Sequence, residues 1–278
     1  MELHVEELFI WDPILFAGTP FEINRVVLLM FLASAVCMAF FVAGARRAAL
    51  VPTGIQNLAE QAYLFVRNQI AIDIIGTKDG PKYANYLASL FWFIFFMNVL
   101  EITPLINFPV TSRMAIPAFL ALLTYVVFNV QGIRKQGLRY FTNIMFPPDV
   151  PKLVYLFLTP IELFSTFVIR PLTLSVRLLA NMMAGHVLLT IFFLFTAEFF
   201  ALDITLPLGA LTAVVAVVLI MFEMLVIGIQ AYIFTTLTAF YIAEAIHGHG
   251  EGEHETEEGH PEALQETEGL EPATAGAR

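Results

Sequence analysis

Two stretches of the 278-residue sequence carry ionisable groups where nearly everything around them is apolar. The first holds Glu162, Arg170, Arg177, Asn181 and His186; the second holds Glu223, Gln230 and Glu244. A charge at membrane depth costs about 2.5–3.5 kcal/mol even on a lenient insertion scale, so each such residue is a functional hypothesis by default. Arg177 cannot release its proton, a guanidinium pKa lying above about 12. His186 and Glu223 form an acid–base couple able to exchange protons near neutral pH. Glu162 and Glu244 add two more carboxylates. Relay groups above and below a fixed cation describe two half-channels with a barrier between them.

The spacing of these residues says how they meet. In an antiparallel helical hairpin, residues equally far from the turn lie at equal depth. Arg177 then faces Gln230, His186 faces Glu223, and Glu162 faces Glu244, all about a centre close to Asp203 in FALDITLP, the best turn signal in the region. Asn181 stands one turn from Arg177, and Glu101, late on an outward span, joins the outer layer. Ideal helical phase puts Asn181 within about 40° of Arg177, Glu162 within about 60°, and His186 on the opposite face. The outer relay is therefore expected behind the helix, with Arg177 pointing at a partner outside the hairpin. Plainer readings stand beside these. Asn181 or Gln230 could simply bond a neighbouring helix, Glu101 could reach the interface, and Arg170 reads as structural, pairing with Glu162 or snorkelling.

The elements that must position these groups are membrane helices. The chain is 58% hydrophobic and 14% charged, against roughly 25% charged in soluble domains. Spans need about 20 apolar residues. They fall at Ile23 to Gly44, Tyr86 to about Pro104, and Ile116 to Val130, followed by the long runs Leu153 to Phe200 and Pro207 to Ile246. The last two would extend roughly 72 and 60 Å if helical, against a hydrocarbon core of about 30 Å. Neither has a polar turn inside, and Pro160 and Pro171 kink rather than break, so two long tilted helices are expected. Ile55 to Ile75 mixes Gln56, Glu60, Gln61, Arg67, Asn68 and Asp73 with apolar residues at helical spacing, and reads as an amphipathic surface helix. The fold class is thus all-α integral membrane, with about five spans, one surface helix and a terminal antiparallel hairpin.

Residues 1–22 form an extracytoplasmic segment without the basic start of a signal peptide, 23–246 the membrane domain, and 247–278 an acidic tail predicted to be disordered. His247, His249, His254 and His260 in that tail raise metal binding, but a plain acidic tail is the simpler reading. The bases Arg46, Arg47, Arg67, Lys78, Lys82, Arg134, Lys135 and Arg139 fall on one side, so the N-terminus is expected outside and the tail in the cytoplasm. The lone Cys37 cannot form an internal disulfide. No GxxxxGK[ST] motif occurs, so nucleotide chemistry is not expected in this chain.

RPLTLSVRLLANMMAGH (Arg170 to His186), followed by IGIQAYIFTTLTAFYI, closely resembles the signature of the a subunit of F-type ATP synthases, the membrane stator subunit. The likeness runs from the first span to about Ile246 and includes the surface helix and NVLEITPLI. It implies that the two long helices lie against a rotating ring of c subunits and that Arg177 is the essential stator arginine. His186, Glu223 and Glu101, with Asn181 and Gln230, then belong to the outer half-channel, and Glu162 and Glu244 to the cytoplasmic one. It further implies a peripheral stalk subunit b and the rest of the synthase as partners, a bacterial plasma membrane rather than a mitochondrial one, and neither a cofactor nor a metal nor nucleic acid. Enzyme activity would then belong to the complex, not to the chain alone. Leu179-Ala180 stand where many members have Phe-Gly, and Arg113 where many carry aspartate. The alternative, a self-contained proton-coupled secondary transporter, calls for an internal repeat and a substrate-sized polar cluster at a broken helix, and the sequence has neither.

Overall fold

The computed structural model describes residues 23–46, 49–103, 106–137, 139–140, 155–201 and 206–247. The N-terminal segment 1–22, the turn at Asp203 and the tail beyond His247 lie outside the described residues. Among the described residues five helices are long and apolar enough to cross a membrane. They are α1 (Arg25–Ala45), α3 (Gly80–Ile102), α4 (Ala115–Gln136), α5 (155–201) and α6 (Leu206–His247). Between α1 and α3 runs α2, residues 55–75, the expected surface helix.

Local chemistry sets the helix ends. The Asn24 side chain accepts from the Val27 N–H at 3.1 Å and caps α1, satisfying one of the donors a helix start leaves open. Gly137 ends α4 at φ +64°, a left-handed conformation that favours glycine. Within the spans, Ser34, Thr103, Thr196 and Thr238 donate to the carbonyl four residues back, which hides their hydroxyls from lipid.

The polar–apolar alternation of α2 turns into burial as expected. Ala59, Ala62, Val66, Ile70 and Ile75 are buried, while Glu60, Gln61, Asn68 and Asp73 are exposed. Its small residues allow close approach to the spans. A Cβ on Gly44 of α1 would come within 2.5 Å of the Ala59 methyl, and one on Gly80 within 2.9 Å of the Ala71 carbonyl carbon. Trp92 of α3 donates to the Ala62 carbonyl at 3.1 Å.

The long helix α5 stays continuous through both prolines. It runs α-helical from Tyr155 to Phe164, makes a π turn over Ser165–Ile169, and resumes at Arg170. The Arg170 N–H reaches back to the Ser165 carbonyl. Pro171 has no N–H and its ring crowds the carbonyl four residues earlier; the π turn places the wider backbone where that crowding falls. It also breaks helical phase, so the ideal-helix angle between Glu162 and Arg177 does not carry across it.

α5 and α6 pack as the expected hairpin, with α3 and α4 behind it. Gly209 sits against Phe199 and Phe200 near the turn. Leu174, Leu178 and Met182 of α5 meet Ile227, Ala231 and Phe234 of α6 in one core. At the basic end, buried Asp79 pairs with Lys82 at 2.6 Å and Lys135 at 3.1 Å, and lies 4.0 Å from His247 Nε2. One carboxylate thus ties the ends of α3, α4 and α6.

Candidate functional site

The buried face of α5 and its open face carry different chemistry. His186 is 4% exposed and follows Leu174, Leu178 and Met182 on the packed side. Arg177 lies with Leu172, Val176, Ala180 and Leu188 on the exposed side. This is the division that helical phase predicts. Arg177 makes no hydrogen bond or ion pair among the described residues, so its guanidinium has no counter-ion within the described part of this chain.

On the packed side three ionisable groups converge between Arg177 and the hairpin turn. Glu101 of α3 is fully buried, and its Oε1 lies 3.7 Å from His186 Nδ1. The Glu223 carboxylate rests directly on the backbone of Gly185; a Cβ there would stand 2.6 Å from its carboxyl carbon. The sequence placed Glu101 in the same layer as His186 and Glu223, and the fold makes Glu101 the carboxylate facing the imidazole. Phe108, from the loop after α3, closes the group in an edge-to-face contact, its ring centre 5.7 Å from that of the imidazole.

These acids are left in need of protons or water. Both oxygens of Glu101, Oε1 of Glu223 and Nε2 of Gln230 are buried without a hydrogen-bond partner among the described residues. An unsatisfied buried polar group costs about 1–3 kcal/mol, and such groups in a native fold call for a functional account. A chain of exchangeable protons through carboxyl, imidazole and carboxyl would meet that need.

Asn181 and Gln230 fall on the side of Glu223. Asn181 lines a cavity of about 170 Å³ between the two long helices, together with Gly185, Leu188, Phe222, Glu223 and Val226. It therefore stands between the Glu223 carboxylate and the open face instead of bonding Arg177. Gln230 is buried beside Glu223's side of α6, seven residues on, and does not back the arginine. Arg177 is exposed where Gln230 is buried, and no hydrogen bond joins the two among the described residues.

The layer nearest the basic ends of the helices is rearranged as well. Arg170 makes a two-bond ion pair with Glu244, at 2.8 Å and 2.5 Å, and lies 5.1 Å from the Tyr241 ring centre. The expectation was a structural role, pairing with Glu162 or snorkelling. Arginine's long side chain lets it reach Glu244 across an offset of eight residues, about 12 Å in ideal helix, from the level of Glu162, the residue expected opposite Glu244. Glu162 itself is half-buried on the other side of the π turn.

Sequence reasoning missed Asn98, Thr111 and Phe108. Thr111 donates to Asn98 Oδ1 at 2.5 Å, and both are fully buried. Asn98 was findable, because it stands three residues before Glu101 on one helix and shares its face. Nothing in the sequence marks Phe108 or Thr111, which reach the site only because their loop folds inward.

The chain is similar to known proteins along most of its length. The family model described as ATP synthase A chain matches residues 27–243. The chain is 40% identical over 251 residues to ATP synthase subunit a of Rhodococcus erythropolis, covering 88% of this chain and 91% of that one. It is 44% identical over 213 residues to ATP synthase subunit a of Parafrankia sp., covering 76% and 72%. It is 42% identical over 245 residues to that of Frankia alni, covering 87% and 84%. A matched stretch that takes in α1 through nearly all of α6, with relatives this similar along most of their length, means that the chain belongs to the ATP synthase A chain family.

Proposed function

We propose that this integral membrane subunit of a bacterial ATP synthase performs its proton-translocating stator role through two half-channels separated by Arg177. The observation that carries the reading is the pairing of opposites on α5. A buried acid–base group faces inward, and an exposed arginine without a counter-ion in the described chain faces outward. A lone guanidinium at membrane depth calls for an anion from a neighbour, and the carboxylates of a c-subunit rotor ring supply that chemistry.

A proton enters from the outer side through Glu101, His186 and Glu223. It passes the Asn181 cavity and neutralises a ring carboxylate, which can then turn into lipid at lower cost. A carboxylate arriving opposite Arg177 is favoured in its ionised form by the fixed positive charge, so it releases its proton toward the cytoplasmic side at Glu162 and Glu244. Arg177 holds the same charge throughout and blocks a direct leak between the two paths. The membrane potential, worth about 2.3 kcal/mol per charge per 100 mV, makes the cycle directional.

The basic ends at Lys82, Lys135 and Arg134 face the cytoplasm in this reading, which puts the N-terminus outside. The peripheral stalk subunit b would hold the chain against rotation. The test is ATP-driven proton pumping in membrane vesicles carrying the whole complex, wild type against Arg177→Ala. Pumping is expected to be lost while the complex still assembles. Normal pumping by Arg177→Ala would refute the mechanism.

A further inference from the structure

The Arg170–Glu244 pair lies where it can control the direction of Arg177. Arg170 is the first residue of the regular helix after the π turn, so no irregularity separates it from Arg177. Seven residues at 100° each leave the two arginines about 20° apart around an ideal helix and about 10 Å apart along it. Whatever fixes the azimuth of Arg170 therefore fixes that of Arg177. Arg170 is held by two parallel hydrogen bonds to one carboxylate and rests against the Tyr241 ring, one turn before Glu244 on α6. Both charged side chains are 16% exposed. Fork-to-fork geometry of this kind gives direction as well as strength.

We infer that Arg170 and Glu244 form a positioning clamp that sets the rotation of α5 against α6 and so holds Arg177, which shares the azimuth of Arg170, on the exposed edge of the hairpin, with Glu244 serving as a permanent counter-ion instead of a proton carrier. The inference rests on the half-channel reading and refines its cytoplasmic side, leaving Glu162 as the acid that takes the outgoing proton. Loss of either partner removes both bonds of the fork at once, and in a low-dielectric setting breaking such a pair is costly. Exchange of the two charges keeps the fork and the azimuth, but it moves the carboxylate to another helix.

The experiment compares Arg170→Gln, Glu244→Gln, Arg170→Lys and the exchange Arg170→Glu/Glu244→Arg in vesicles containing the complete synthase. The readout is protons pumped per ATP hydrolysed, normalised to assembled complex. Each Gln variant is expected to lower that ratio at least fivefold. The lysine variant keeps the charge and one bond, and it should fall between those and wild type. The exchange should recover to within threefold of wild type. A ratio unchanged in the Gln variants overturns the clamp, including the case where only the amount of complex falls. An exchange no better than Glu244→Gln also overturns it, because a carboxylate is then required at position 244 itself. Normal pumping by Arg177→Ala would instead defeat the underlying mechanism, whatever the exchange does.

Discussion

Replacing Gly185 by alanine tests the outer relay without removing any ionisable group. The added Cβ would stand 2.6 Å from the Glu223 carboxyl carbon, and ordinary contact begins near 3.4 Å, so the carboxylate must retreat by about 0.8 Å (3.4 less 2.6). The stability cost of that retreat is small, because only the end of a flexible side chain moves. An off-rotamer shift costs about 0.5–1.5 kcal/mol, and alanine in a helix interior regains about 0.5–1 kcal/mol over glycine. The two nearly cancel, and assembly should stay close to wild type.

Function has no such compensation. A misplacement near 1 Å in a proton or group-transfer path costs on the order of 100-fold, so ATP-driven pumping per assembled complex should fall by about 10- to 100-fold. Shortening the acid should relieve the contact, since Glu223→Asp withdraws the carboxylate by one methylene, about 1.5 Å. Gly185→Ala/Glu223→Asp is therefore expected to pump better than Gly185→Ala alone. Gly228→Ala is the control on the neighbouring helix: a Cβ there meets nothing within 4 Å, and pumping should be unaffected. The assay is dye-reported acidification of inverted vesicles, with subunit content measured by blot. Pumping within twofold of wild type by Gly185→Ala would show that the position of the Glu223 carboxylate does not limit proton transfer, and the reasoning would fail.

Two further outcomes concern the frame that holds the site. The Lys82 ammonium, then that of Lys135, hold the Asp79 carboxyl down at about 2. A depressed folded-state value means that Asp79 contributes stability above the unfolded carboxyl range near 4 and loses it as pH falls through about 2. The thermal midpoint of the complex in detergent should therefore be lower for Asp79→Asn than for wild type at pH 5 and above, with the gap closing between pH 4 and 2; a gap independent of pH would refute the assignment. Gly80→Ala places its Cβ 2.9 Å from the Ala71 carbonyl carbon, and backbone cannot swing aside as a side chain can. An overpacking cost of about 1–3 kcal/mol should lower the amount of assembled complex at 37 °C, while Gly228→Ala leaves it unchanged; equal levels would count against the close packing of α2 on α3.

The sequence alone determined the architecture and the chemistry available to it. Apolar runs of span length, the mixed periodicity of residues 55–75 and two long runs without a polar break suffice for five spans, a surface helix and a hairpin, because in lipid each backbone polar group must be satisfied within its own helix. Spacing about Asp203 and phase along the regular part of α5 likewise gave the outer layer and the outward arginine. Only the tertiary structure decided who touches whom. It brought Glu101 to His186, set Glu223 on the Gly185 backbone, turned Asn181 into a cavity wall and gave Glu244 to Arg170. The physical reason is reach and irregularity. Depth and phase locate Cα atoms, but an arginine spans several residues of axial offset, a π turn resets the phase between Glu162 and Arg177, and a loop such as the one carrying Phe108 and Thr111 leaves no period in the sequence at all.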